Sequence, residues 1–181
     1  MSDPRETLED HIGAMRAFAI SLTRDPILAD DLVQEALMKA WSHMDGYQEG
    51  SNMRAWLFTI LRNTYYSLHR KRRREVQDVD GVFQQTLSQK PDHDGRLNLR
   101  DFNAAFAQLP DEQREALVLV GAGGFSYEEA AKTCGVKVGT IKSRVSRGRL
   151  RLAELMQLPE NEPIELTDVV TAGIVTGRNL S

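Results

Sequence analysis

The sequence predicts an all-α protein: two small helical domains, the second carrying a helix-turn-helix, joined by a flexible linker. Three observations carry that expectation. Apolar residues recur at the three- and four-residue spacing of amphipathic helices in both halves of the chain. Residues 1–75 hold no strand-like alternation of useful length. Residues 76–98 are polar, contain Gly81, Pro91 and Gly95, and lose the helical period, as a linker does. The expected division is a first domain at 1–75, a linker at 76–98, a second domain at 99–157 and a tail at 158–181.

In the first domain, Leu8, Ile12, Met15, Ala19 and Leu22 form one helix face. Asp25-Pro26 opens a second helix, with Asp as N-cap and Pro at the first helical position. Its apolar face is Leu32, Val33, Ala36, Leu37, Ala40 and Trp41, and Asp45-Gly46 and Glu49-Gly50 make the loop that ends it. Ser51 or Asn52 caps a third helix with the face Trp56, Leu57, Ile60, Leu61, Tyr65 and Leu68. At ~3.3 Å per residue, a 23-residue linker spans at most about 75 Å.

In the second domain, Leu99, Phe102, Ala105, Phe106 and Leu109 make a stripe that stops at Pro110. Asp111 is the expected cap of the next helix, which carries Leu117, Leu119 and Val120 and ends at Gly121, Gly123 and Gly124. Ser126-Tyr127-Glu128-Glu129 reads as a capping box. The short helix it starts breaks at Cys134-Gly135, where a positive φ is expected, and a longer basic helix begins near Val138. The tail beyond Pro159 is acidic, with an apolar stretch from Val169 to Val175.

Composition excludes several classes. No apolar run approaches the ~18 residues of a membrane span, and the first thirty residues are charged throughout, without the apolar core of a secretory signal. The single cysteine, Cys134, excludes an intrachain disulfide framework and suits a reducing cytoplasm. His11, His43, His69 and His93 are scattered, so neither a zinc site nor a cofactor is expected. The net charge of −3 hides two cationic segments. Residues 54–74 and 132–151 each carry seven basic and no acidic residues, leaving a charge of −17 on the rest. Two such segments on an anionic chain point to two contacts with a polyanion, most simply nucleic acid. The same asymmetry suggests that acidic surfaces cover the basic ones in the free protein.

The helix-turn-helix at 126–152 is the strongest signal. Ile141, Val145, Gly148 and Leu152 form the buried stripe of its second helix. Thr140, Ser143, Arg144, Arg147 and Arg151 then share an outward face, with Lys142 and Ser146 beside it. Such side chains reach base edges and phosphates in the major groove. The bland alternative is an αα-hairpin with a solvated basic face. In the third helix, Trp56, Phe58, Tyr65 and Tyr66 interleave with Arg54, Arg62 and Asn63 before the run Arg70-Lys71-Arg72-Arg73-Arg74. Stacking rings beside cations suit melted nucleic acid, although Trp56 by periodicity is as readily core. The cluster Asp30-Asp31-Leu32-Val33-Gln34-Glu35 has no general-base partner, nucleophile or phosphate loop with it, and reads better as a protein-binding surface with Leu37, Met38 and Trp41 than as an enzyme site. Two rival readings are a homodimeric helix-turn-helix repressor and a nucleic-acid-processing enzyme using the acidic cluster.

These motifs resemble a family. Residues 30–41 look like region 2.2 of bacterial extracytoplasmic-function (ECF) sigma factors, and Asn52 to Arg74 resembles regions 2.3–2.4. Leu109 to Ala116, Ser126 to Ala131 and Val138 to Arg149 resemble region 4. Ser51-Asn-Met-Arg-Ala-Trp-Leu-Phe58 and Asn63-Thr-Tyr-Tyr66 are similar to the general-stress-response, EcfG-like branch. The resemblance implies a sigma factor with no catalytic activity of its own that docks on core RNA polymerase through Asp31, Gln34, Glu35, Met38 and Trp41. It implies −10 element contacts by the loop Tyr47 to Asn52, including Ser51 and Asn52, by Trp56, Asn63 and Ser67, and by Arg70, Arg72 and Arg73. It implies −35 element contacts by Thr140, Lys142, Ser143, Arg144, Ser146 and Arg147. It further implies a small anti-sigma partner of the NepR type, released by a response regulator with a sigma-mimicking domain.

Overall fold

A computed structural model describes residues 7–77 and 99–159. Among them are seven α-helices and no strand: α1 (Ile12–Thr23), α2 (Pro26–Ser42), α3 (Met53–Gln77), α4 (Leu99–Ala107), α5 (Asp111–Leu117), α6 (Tyr127–Cys134) and α7 (Val138–Leu155). The acidic tail from residue 160 lies outside the described residues, as does the linker from 78 to 98. Helix α3 continues through Gln77, two residues into the expected linker.

Local chemistry explains where these helices begin and end. Asp25 accepts from Ile27 N at 2.8 Å and Leu28 N at 3.2 Å, and Pro26 takes the first position of α2, where its missing N–H costs nothing. Asn52, rather than Ser51, caps α3 by accepting from Ala55 N at 3.1 Å. Ser126 and Glu129 complete the capping box of α6 at 3.1 and 2.8 Å. Gly135 ends α6 with φ +66°, the left-handed conformation a side chain resists.

The expected cap of α5 takes a different role. Pro110 occupies the N-cap position, and Asp111 is the first helical residue with no backbone amide to accept. Its carboxylate instead accepts from Arg114 at 2.7 Å and Arg24 at 3.1 Å. Helix α5 then passes directly into a π-turn, Val118–Ala122. A Cβ on Gly123 would lie 2.5 Å from the Leu119 carbonyl oxygen, so glycine is required to leave this turn.

The buried faces match most of the periodicity. Met15, Ala19 and Leu22 are buried on α1, but Ile12 is exposed and Phe18 enters the core in its place. On α2 Leu32, Val33, Ala36 and Ala40 are buried, whereas Trp41 points outward. On α3 Leu57, Phe58, Leu61 and Thr64 are buried, and Trp56, Ile60, Tyr65 and Leu68 pack at its edge.

The two helical groups do not stand apart. Helix α1 packs on α5, and α3 packs on α6. Phe18 of α1 stacks on Phe58 of α3 at 5.1 Å, and Phe58 meets Phe125, just before α6, at 5.1 Å. One apolar core therefore runs through both groups. Each such ring pair is worth about 0.5–1.5 kcal/mol beyond area burial.

Candidate nucleic-acid interface

Helix α3 is long enough to present two different faces. The first carries Trp56, Ile60, Asn63, Thr64 and Ser67, which with Lys39, His43 and Gly46 line an open cleft of about 400 Å³. Lys39 donates to Thr64 Oγ1 at 3.3 Å and pairs with Glu35 at 3.0 Å, which ties the floor of the cleft to α2. Tyr47 packs beside Trp56, its ring 5.2 Å away and its hydroxyl donating to the Ser51 carbonyl. Asn63 and Ser67 are exposed, and Arg70 Nη2 reaches Ser67 Oγ at 3.4 Å. Residues 70–74 are all exposed.

The second face, at a four-residue interval, is Arg54, Phe58, Arg62 and Tyr66, and it meets the second helical group. Arg62 donates to Glu115, and its guanidinium lies 4.6 Å from the Tyr66 ring centroid. Arg54 sits 5.0 Å from the Phe125 ring, an attraction worth about 2 kcal/mol when desolvated. Asn52 Nδ2 donates to Glu129 Oε1 at 3.0 Å, so this side chain is already engaged. Arg72 turns away from the Asn63 side and lines another cleft, of about 520 Å³, with Tyr65, His69, Asp31, Glu35 and Asp111. The candidate −10 residues are thus divided: Trp56, Asn63 and Ser67 come together, whereas Asn52 and Arg72 lie elsewhere.

Helix α2 gathers the candidate docking residues. Asp31, Gln34, Met38 and Trp41 are all exposed and fall at helical spacing on one side, with half-buried Glu35 beside them. Met38 is 73% and Trp41 56% exposed, high values for large apolar side chains flanked by acids.

In the helix-turn-helix, Ile141, Val145, Gly148 and Leu152 are buried as expected. A Cβ on Gly148 would meet Leu117 at 2.9 Å, which shows how closely α7 approaches α5. Lys142, Ser146 and Arg147 are exposed. Thr140, Ser143 and Arg144 are only half exposed and, with Arg147, form the wall of a cleft shared with Pro110, Glu112 and Gln113. Arg144 pairs with Glu112 at 3.6 Å.

Electrostatics mark the contact between the two groups. Burial, then the Glu115 charge, pushes the Tyr66 hydroxyl well above its ordinary range. The same two causes push the Cys134 thiol up to about 12. Burial lowers Arg114, with Arg24 adding to the effect. Burial works against the Arg62 charge, but its hydrogen bond to Glu115 and the charges around it, Glu115 first, together outweigh this and hold the guanidinium more firmly. Glu129 is held below the ordinary carboxylate range mainly by the Ser126 backbone amide.

Sequence reasoning missed Arg114 and Glu115. Arg114 is 1% and Glu115 0% exposed. A signal was present: Arg114 lies three residues before Leu117 and Glu115 three before Val118, on the face of α5 that must be buried. Among the described residues there is no cluster of three or more potential metal ligands, and no helix is long and apolar enough to cross a membrane.

The family models for sigma-70 region 2 and sigma-70 region 4 match residues 7–75 and 99–152. The chain belongs to the ECF sigma factors. It is 51% identical over 170 residues to the ECF RNA polymerase sigma factor EcfG of Rhodopseudomonas palustris, covering 94% of both chains. It is 31% identical to the ECF sigma factor SigM of Bacillus subtilis, covering 87% of this chain and 97% of that one. A solved structure of the sigma factor RpoE in complex with the anti-sigma factor NepR from Bartonella quintana is similar at 54% identity and a TM-score of 0.75, covering 86% of this chain and 97% of that one. The complex of PhyRSL with NepR from Sphingomonas matches at 18% identity and a TM-score of 0.64, a likeness of fold alone. Membership of this family sets the repressor reading aside.

Proposed function

We propose that this sigma factor binds core RNA polymerase and gives it promoter specificity for a general stress regulon, without catalysing a reaction itself. The first domain, residues 1–75, docks on the polymerase through Asp31, Gln34, Glu35, Met38 and Trp41. It captures the melted −10 element in the Trp56–Asn63–Ser67 cleft, with Tyr47 beside Trp56 and Ser51 bonded to Tyr47, and with Arg70 and Arg73 on phosphates. Asn52 joins these contacts after leaving Glu129, and Arg72 after turning out of the cleft it lines. The second domain, residues 99–157, reads the −35 element as duplex through Lys142, Ser146 and Arg147, with Thr140, Ser143 and Arg144 beside them. The stress role and a NepR-type anti-sigma partner are supported by likeness to EcfG and to the NepR-bound sigma factor. A response regulator with a sigma-mimicking domain fits as the releasing partner, and the cytoplasm fits as the compartment.

One observation carries this reading. A single chain exposes both a cleft of rings and amides on α3 and a basic recognition face on a capped helix-turn-helix, beside an apolar and acidic docking face on α2. The test is binding to purified core polymerase. Trp41→Ala and Met38→Ala are expected to weaken it, with Trp41 costing about 2 kcal/mol or more, roughly thirtyfold. Unchanged affinity in both variants would remove α2 from the interface.

A further inference from the structure

The two cationic segments are largely open. Residues 70–74, Lys142, Ser146 and Arg147 are exposed, and the acidic cover expected in the free protein reaches only residues such as Arg62, beside Glu115, and Arg144, beside Glu112. A cation outside both segments lies in the Trp56–Asn63–Ser67 cleft itself. We propose that the C-terminal end of α2 forms a second wall of that cleft, where Lys39 holds a phosphate of the melted strand and His43 accepts from the exocyclic amine of a base. This rests on the sigma-factor reading above and deepens it, since every −10 contact named so far comes from α3 or the loop before it.

Helix α2 carries two working rows. Asp31, Gln34, Met38 and Trp41 form the docking side. One residue beyond Met38 is about 100° further round the helix, at 3.6 residues per turn. There Lys39 lines the cleft, followed one turn later by His43 at the C-cap of α2. Trp56, Asn63 and Ser67 line the same cleft from α3.

An ammonium has three N–H donors. Lys39 gives one to Glu35 at 3.0 Å and one to Thr64 Oγ1 at 3.3 Å, which leaves a third. Thr64 is buried, so this bond anchors the ammonium at the cleft floor. The Lys39 and Glu35 side chains are 43% and 41% exposed, and an ion pair so open to water is worth little. A phosphate therefore gains this cation without breaking a strong contact. Of the described residues that line the cleft, Lys39 alone carries a permanent charge, so it is the group there that answers a phosphate as a strand enters.

His43 is fixed in one tautomer. Its Nδ1 lies 2.8 Å from the Lys39 carbonyl oxygen, which can only accept, so Nδ1 carries the ring proton. Ser42 Oγ, 3.2 Å from Nδ1, donates to that same carbonyl at 3.0 Å and leaves the assignment unchanged. In the neutral imidazole Nε2 is then an acceptor. A base stacked on the Trp56 ring turns its edge to the α2 wall, where an acceptor favours an amine. Adenine, cytosine and guanine each carry one, whereas the exocyclic polar groups of thymine are both acceptors.

The test uses holoenzyme assembled from the full chain and saturating core polymerase. Its probe is fluorescent forked DNA with the downstream element that the unaltered holoenzyme selects from a randomised pool. Lys39→Gln is expected to weaken binding about tenfold or more for every sequence, and to flatten the salt dependence by about 0.7 unit, the share of one phosphate on a single strand. Lys39→Arg is expected to keep the unaltered slope. His43→Ala is expected to keep the slope as well, but to relax selection at one downstream position, where the unaltered protein disfavours thymine about fivefold or more. At that position an analogue lacking only the amine (purine for adenine, 2-pyrimidinone for cytosine, hypoxanthine for guanine) is expected to weaken the unaltered holoenzyme and not His43→Ala. Both side chains are partly or fully open to solvent, so both variants are expected to keep their helical circular dichroism. An unchanged salt slope in Lys39→Gln would overturn the phosphate contact, and an analogue that weakens both proteins equally would overturn the base contact. If core polymerase makes no specific transcript with this protein, the sigma-factor reading fails. If transcripts form and both variants bind as the unaltered protein does, that reading stands and the second wall falls.

Discussion

Arg114 gathers bonds from three directions, and its neighbours depend on it more than it depends on any one of them. Truncation leaves the Ser21 and Leu109 carbonyls and the Asp111 carboxylate short of a donor in a buried setting. Arg114→Ala is expected to lower the unfolding free energy by about 3–5 kcal/mol in urea titrations. A loss below 1 kcal/mol would show that water replaces the guanidinium. Cys134 provides a second residue-level readout. Its thiol is raised to about 12 by burial and by Glu115, so alkylation at pH 8 is expected to be far slower than for a free cysteine. The folded chain keeps this proton where the unfolded chain, with a thiol near 9, has lost it. This contribution to stability is therefore intact below about pH 9 and falls as pH rises toward 12. Melting temperatures measured across that window check the sign. Arg114 and Glu115 were hard to foresee because charged residues read as solvated, and only their position on the buried stripe of α5 says otherwise.

At the scale of elements, local rules carried furthest where a side chain answers to its own backbone. Asp25-Pro26, the Ser126–Glu129 box and Gly135 all do so within four residues, and all three stand where the sequence places them. Asp111 fails as a cap because two arginines compete for the same carboxylate, and one of them, Arg24, is 87 residues away. Trp41 fits the apolar period of α2 but is exposed, because its position lies beyond the packed stripe. The capping box yields a prediction of its own. Ser126→Ala is expected to cost about 1 kcal/mol. Glu129 is held below the ordinary carboxylate range, so its part of the cap is present above that range and is lost as pH falls through the lowered value. Thermal melts at pH 7 and pH 3 are expected to show the Ser126→Ala difference shrinking at the acid end. An equal difference at both values would mean that the box does not titrate.

For the whole molecule, periodicity shows that a face is buried but not what buries it. Two helical groups and two cationic segments were legible. The packing of α1 on α5 and of α3 on α6 was not, because a contact such as Phe58–Phe125 joins residues 67 positions apart. The site was legible in the same proportion. The stripe of α7 followed from spacing and the grouping of Trp56, Asn63 and Ser67 from the family resemblance, whereas the engagement of Asn52 and Arg54 by the other domain followed from neither. Electrostatics at this scale are tested by salt. Arg73→Ala is expected to flatten the dependence of holoenzyme binding on salt by about one unit for every promoter sequence.

The most direct measurement is transcription in vitro by core polymerase on a pool of randomised upstream DNA, with the unaltered protein, Asn63→Ala and Arg147→Ala. The unaltered protein is expected to select two separated elements. Arg147→Ala is expected to relax the upstream one at a single base pair, at a cost of about 1–3 kcal/mol, and Asn63→Ala to relax only the downstream one. Selection of one element alone, or relaxation of the same positions by both variants, would contradict a protein that reads promoters with two separable domains.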